Sequence, residues 1–103
     1  MDISEAKLQQ VWERAKEVYG YDATKYRQDF AGAWIAYDEY GKQTDFGWNV
    51  DHKIPQSQGG TDAIDNLQPL HWRNNMEKGD NYPNFTTIVS SNDRTNIVKK
   101  QNW

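Results

Sequence analysis

Residues 50–80 read VDHKIPQSQGGTDAIDNLQPLHWRNNMEKGD, and the fold turns on this stretch. Asp51 and His52 set a carboxylate beside an imidazole. Gly59-Gly60 follows, and then Asn66, Asn75 and Lys78 add two carboxamides and an amine. Oxygen donors of this type suit a hard divalent cation. A neutral imidazole, with an unperturbed pKa of about 6.5, can take a proton from water near neutral pH.

Working outward, FGWNVDH alternates Phe46, Trp48 and Val50 against Gly47, Asn49 and Asp51, which predicts a strand. Asp51 then stands at the strand end, away from the apolar set, and Pro55 stops the strand soon after. AWIAY (33–37) predicts a strand before it, across the turn-rich DEYGKQTD. Residues 55–66 predict a loop in which Gly59-Gly60 permits positive φ. Residues 67–78 predict a helix, with Pro69 in its first turn and Gly79 as its stop.

Residues 3–19 predict an amphipathic helix. Leu8, Val11, Trp12, Ala15, Val18 and Tyr19 fall at helical spacing, Asp2 or Ser4 can cap the start, and Gly20 can end it. FTTIVSS and TNIVKK, around Asn92-Asp93, predict a terminal hairpin. The expected class is α+β: a small ββα unit with an N-terminal helix and a C-terminal β-hairpin. The 103 residues suit one domain with its core motif at about 30–80.

Composition narrows the field. Leu, Ile, Val and Phe make up about one residue in six, so the aliphatic core is thin. Five Trp and six Tyr, with a net charge of only −3, argue for an aromatic-rich globular domain over a disordered chain. The absence of cysteine excludes disulfides and thiolate zinc sites. No apolar run approaches the roughly 20 residues of a membrane helix, and MDISEAKLQQ is unlike a signal peptide, so no membrane contact and a cytoplasmic location are expected. The mild acidity does not itself favour nucleic acid. Residues 81–103 nevertheless hold Arg94, Lys99 and Lys100 against Asp93, which reads equally as a contact surface or a solvated tail.

Taken in order, Asp51, His52, Ile54 and Pro55, then Gly59, Gly60 and Thr61, then Asn66, Leu67, Gln68 and Leu70, then Asn75 and Lys78 resemble the motif of the HNH endonucleases, the ββα-metal or His-Me finger nucleases. Fourteen positions separate His52 from Asn66 and nine separate Asn66 from Asn75, and a whole set in this order is far more specific than an Asp-His pair. The resemblance implies a metal-dependent endonuclease that nicks or cuts DNA, leaving 5′-phosphate and 3′-hydroxyl ends, in a bacterium, a phage or a mobile element. It implies one divalent metal on Asp51 and Asn75. Mg²⁺ is the expected ion, with Mn²⁺, Ni²⁺ or Zn²⁺ as alternatives. His52 is the general-base candidate, and a nearby carbonyl hydrogen-bonded to its Nδ1–H would keep the ring neutral and oriented. Asn66 is implied as the residue tying the Gly-Gly loop back to the strand and so steadying His52. Lys78, three residues beyond Asn75, is placed to meet a phosphate or to be a solvated surface lysine.

Other readings remain beside these. Asn74 could be mistaken for Asn75, but the nine-residue spacing favours Asn75. His71, four residues before Asn75, is read as a packing or hydrogen-bonding residue before a third ligand. Many members of the family carry structural-zinc cysteines, which are missing here; His71 and Asn74 stand at one pair's positions. No structural zinc is expected, so aromatic packing and the terminal elements must brace the finger. Trp48 and Trp72 read as core, and Tyr26-Arg27 with Asp29 as an ion pair or a phosphate contact. A catalytically weak nucleic-acid-binding module of the same fold is the alternative function. The motif does not separate monomer from homodimer.

Overall fold

A computed structural model describes residues 2–103 as an α+β fold with two α-helices and three two-stranded antiparallel sheets. Helix α1 spans Glu5–Trp12. Ser4 holds an extended backbone and its Oγ accepts from the Lys7 N–H at 3.1 Å, an N-cap that satisfies one of the helix's free donors.

The helix stops well short of residue 19. Its continuation is overridden by tertiary pairing, since Lys16 exchanges both backbone hydrogen bonds with Gln28 at 2.8 and 2.9 Å. Arg27 fastens the same junction. Its guanidinium donates to the carbonyls of Glu13, Ala15 and Ala23 and lies 5.9 Å from the Trp12 ring centroid. Arg27 therefore forms no pair with Asp29. Val11, Trp12 and Ala15 are buried as the helical spacing predicts, whereas Tyr19 is fully exposed.

The strand expectations are partly rearranged. Strand β2, Trp34–Ala36, pairs with β1, Tyr26–Gln28, which the sequence reading did not place. Strand β3, Trp48–His52, pairs with β4, Leu67–His71, with Asp51 opposite Gln68 and His52 opposite Leu67. The predicted helix over 67–78 is thus a strand followed by a shorter helix, α2, Trp72–Lys78. Pro69 sits in β4 opposite Val50 instead of in a helical first turn. A two-stranded sheet has only edges, so a residue without an N–H is tolerated there. In chain order the central unit is strand, loop, strand, helix. The terminal hairpin is present as β5, Thr86–Asn92, and β6, Thr95–Asn102, turning at Asp93 with φ +55°.

The apolar centre gathers Val11, Trp12, Ala15, Ile35, Trp48 and Leu67. Its aromatic rings do much of the filling: Trp12 lies 5.3 Å from Trp48 and 5.4 Å edge-on to Tyr37, and Tyr40 lies 5.0 Å from Trp48, measured between centroids. Each buried indole keeps its donor satisfied, Trp12 by the Ala23 carbonyl and Trp48 by the Ala36 carbonyl.

Polar cross-linking joins the aromatic packing as a brace. Asp29, 1% exposed, accepts four hydrogen bonds. The N–H groups of Ala31 and Ala33 meet Oδ1, while the His71 N–H and the Asn74 amide meet Oδ2, all between 2.9 and 3.1 Å. Asn74 is fully buried, and its remaining capacity goes to β5: Oδ1 accepts from the N–H groups of Ile88 and Val89, and Nδ2 also donates to the Val89 carbonyl. One carboxylate and one carboxamide thereby join the 29–33 turn, the β4–α2 junction and the terminal hairpin. Two of the residues involved, His71 and Asn74, stand at positions where the resemblance places metal-binding cysteines.

Asp29→Asn tests this brace. An amide presents N–H₂ where either the Asp29 Oδ1 or the Oδ2 now meets two donors, leaving buried donors unpaired at a cost of about 2–4 kcal/mol. The expected result is a fall in Tm on the order of 10–20 °C by calorimetry or circular dichroism. An unchanged Tm shows that the hub does not hold the fold.

Candidate functional site

Strand β3 ends in Asp51 and His52 because the Trp48 side of the strand enters the core, while Asn66 stops the pairing two residues further on. Asn66 works on the loop through its backbone and through both ends of its side chain. Its carbonyl accepts from the Lys53 N–H at 2.8 Å, and its Oδ1 accepts from the Ile54 N–H at 2.9 Å. Its Nδ2 donates to the Ile54 and Thr61 carbonyls. The loop 55–66 is thus tied to the chain leaving β3. Gly60 makes the tie possible, since a Cβ there would fall 1.6 Å from the Ile54 carbonyl oxygen and 3.0 Å from Asn66 Nδ2. Gly59 supplies the left-handed turn, at φ +90°.

Helix α2 brings up the other wall. His71 caps it: Nδ1 accepts from the Arg73 N–H at 3.2 Å, and Nε2 donates to the Asp45 carbonyl at 2.8 Å. Both ring nitrogens are engaged and the residue is 2% exposed, so His71 is a packing and capping residue. Burial pushes its imidazole below its ordinary pKa, which keeps it in the neutral form this bonding needs. Asn74 and Lys78, four residues apart, turn inward together. Asn75, the next position round the helix, borders an open groove of about 460 Å³ with Asp51 and His52. The remaining walls include Val50, Pro55, Gly79 and Asp80. The two neighbouring asparagines are thereby distinguished: Asn74 faces the interior and Asn75 the groove.

Lys78 is neither a solvated lysine nor a group presented to the solvent. Its side chain is 1% exposed, and its ammonium lies 3.2 Å from Asp51 Oδ1 and 3.1 Å from the His52 carbonyl oxygen. Gln68, opposite Asp51 across the sheet, donates to Asp51 Oδ2 at 2.9 Å. The carboxylate is therefore held at both oxygens. Burial pushes the Asp51 carboxyl above its ordinary pKa, and the Gln68 amide and the Lys78 ammonium pull against that shift. Each carboxylate oxygen keeps a further lone pair, and Asp51 is one of the residues lining the groove.

His52 is half-buried, and its Nε2 lies 2.7 Å from Asp62 Oδ1. A carbonyl on Nδ1–H was expected to orient this ring; the structure instead sets a carboxylate on the other ring nitrogen, Nε2. Asp62 comes from the loop that Asn66 ties down, and its own backbone carbonyl accepts from Lys7 Nζ of α1. The His52 hydrogen bond holds the Asp62 carboxyl below its ordinary pKa. The sequence offered a signal for Asp62, a carboxylate two residues after Gly60 in a loop bound to return to the strand, but not the ring it would meet.

The donor set can be tested against a divalent metal. Among the described residues, no cluster of three or more His, Cys, Asp or Glu side chains could hold a metal ion. Asp51 and Asn75 offer one anionic and one neutral oxygen donor at the same groove. Such a set fits Mg²⁺, which keeps several waters and is commonly held by one or two protein oxygens plus substrate phosphate.

Residues 41–81 match the family model described as HNH endonuclease, and over these residues the resemblance drawn from the motif is shown. No curated protein and no solved structure matches the chain. At family level the match supports a nuclease-type or nucleic-acid-binding function. No helix among the described residues is long and apolar enough to cross a membrane.

The Asp51–Lys78 pair makes a separate prediction. Lys78→Met leaves Asp51 buried without its cation, and breaking such a pair costs about 3–5 kcal/mol. Adding Asp51→Asn in the same chain is expected to restore part of that loss, because no uncompensated charge remains. Urea denaturation of the two single variants and the double variant checks this. Strictly additive losses show that the two groups do not act as a pair.

Proposed function

We propose, with the HNH match over residues 41–81 as premise, that this protein is a metal-dependent endonuclease hydrolysing DNA phosphodiester bonds. The observation that carries the reading is the convergence of Asp51, His52 and Asn75 on one open groove. Asp51 and His52 come from the end of β3 and Asn75 from α2, and all three line the same groove.

The reading gives each residue a role. His52 is the general base. With Nε2 directed at Asp62, the free lone pair lies on Nδ1, which takes the proton from the attacking water. Asp51 and Asn75 would hold one divalent ion, Mg²⁺ first, with Mn²⁺, Ni²⁺ or Zn²⁺ as alternatives. When bound, such an ion neutralises charge on the phosphate and on the leaving 3′ oxygen. Lys78 and Gln68 favour the ionised Asp51 carboxylate against its burial and hold it in one orientation, so Lys78 acts on the substrate through Asp51 and not by direct contact. Asn66 keeps the loop, and with it the His52 surroundings, in place. Phosphodiester cleavage of this kind leaves 5′-phosphate and 3′-hydroxyl ends.

A second reading is a nucleic-acid-binding module with weak or no activity. The observation that favours it is the engagement of both Asp51 oxygens by Gln68 and Lys78, since a cation must share that carboxylate with an ammonium. One experiment separates the two readings. Supercoiled plasmid is incubated with wild type, His52→Ala and Asn75→Ala, in Mg²⁺ or Mn²⁺ and with a chelator. Nicking by the wild type is expected, abolished by the chelator and reduced about 10²–10⁴-fold in His52→Ala, the range for loss of a general base. Asn75→Ala is expected to lose activity and to need more metal. Equal rates in all three proteins sink the site assignment. Absence of cleavage in every metal, with salt-sensitive DNA binding retained, establishes the binding module.

A further inference from the structure

We infer that Asp62 is the positioning residue of the site, holding the His52 ring as the Nε2–H tautomer with Nδ1 turned to the groove. The inference rests on the nuclease reading for its consequence but on geometry for its content. His52 Nε2 and Asp62 Oδ1 are 2.7 Å apart, the length of a charge-assisted hydrogen bond. A carboxylate only accepts, so the ring nitrogen facing it must carry the proton when the imidazole is neutral. No described residue bonds Nδ1, which is therefore the basic nitrogen, on a side chain that lines the groove.

Asp62 is itself fixed, although its side chain is 54% exposed. Gln56 Nε2 donates to the same oxygen at 3.3 Å, and the Asp62 carbonyl is bound by Lys7 of α1. Asn66 ties the neighbouring Thr61 carbonyl. The residue is thus held by its backbone from the helix and by its carboxylate from Gln56 and His52, and Asp62 is not among the residues lining the groove. Its part in the reaction is through the His52 ring. It fixes which nitrogen is basic and stabilises the imidazolium once the proton has moved, the arrangement a base needs from a third group.

Because Asp62 lies on the surface, Asp62→Ala is expected to keep the wild-type melting curve, which makes it a usable variant. Two measurements test its role. Long-range nitrogen–proton spectra of the metal-free protein at alkaline pH report the tautomer of the neutral ring, with His52→Ala assigning the signal against His71. The wild type is expected to show Nε2–H alone, and Asp62→Ala a mixture of the two tautomers. Nicking kinetics are expected to show kcat lowered about 10–100-fold with KM unchanged, the size of effect given by a misaligned reacting group. In a His52→Ala background, Asp62→Ala is expected to change nothing further. An Nδ1–H ring in the wild type, identical spectra for the two proteins, or an equal loss from Asp62→Ala with and without His52 each overturns the inference. A wild type that cuts DNA in no metal overturns the nuclease reading instead, and the spectra still decide whether Asp62 sets the tautomer.

Discussion

The Asp29 carboxylate is the interaction on which the remainder of the structure depends. A buried anion without a cation beside it is costly, and burial does push this carboxyl above its ordinary pKa. What opposes the cost is a shell of four N–H donors, from Asn74, His71, Ala33 and Ala31, that replaces water around both oxygens. Three of the four are backbone groups, and they come from two distant parts of the chain. A side chain that satisfies backbone donors at a turn and at a strand–helix junction acts as a cross-link. It does mechanically what a metal held by four thiolates does elsewhere, in a chain that has no thiolates.

The site descends from that cross-link. Once Asn74 is drawn inward to Asp29 and to β5, the rotation of an α-helix fixes the directions of its neighbours. Asn75 turns to the groove, and Lys78 returns to the inner face beneath Asp51. The ammonium then meets the carboxylate at the end of β3, and Gln68 meets it from across the β3–β4 pairing. Two buried networks, one on Asp29 and one on Asp51, thus flank a helix of only seven residues. Helices so short have little stability of their own, so their direction is set by what they pack against. In a chain with few aliphatic residues, satisfied polar groups carry specificity that apolar jigsaw packing supplies in larger cores.

The loop beside the groove was legible in the sequence, and the reasons are local. Gly59, Gly60 and Asn66 lie within one loop, and their tie to Ile54 spans few residues, so spacing alone carries it. The N-cap at Ser4 and the hairpin turn at Asp93 are likewise determined by adjacent residues. The errors share the opposite cause. Leu67 to His71 looked like the start of a helix because Pro69 suits a first helical turn; it is a strand because β3 lies beside it with free hydrogen-bonding groups. The helix from residue 3 ran too far because nothing near Lys16 announces Gln28. Tyr26–Gln28 escaped notice because three residues make no pattern.

By itself the sequence determined the inventory: an Asp-His pair at a strand end, a glycine loop closed by Asn66, a carboxamide nine positions beyond it, and no cysteine to staple them. Those are properties of residue type and short spacing, which the chain carries in any conformation. Only the tertiary structure decided the partners. It gave Asp29 to His71 and Asn74 instead of to Arg27, buried Lys78 against Asp51, and set Asp62 on the His52 ring. Each of these pairs joins groups 10 to 45 positions apart. Hydrogen bonds and ion pairs are made by proximity in space, and at such separations residue identity does not reveal which donor will reach which acceptor.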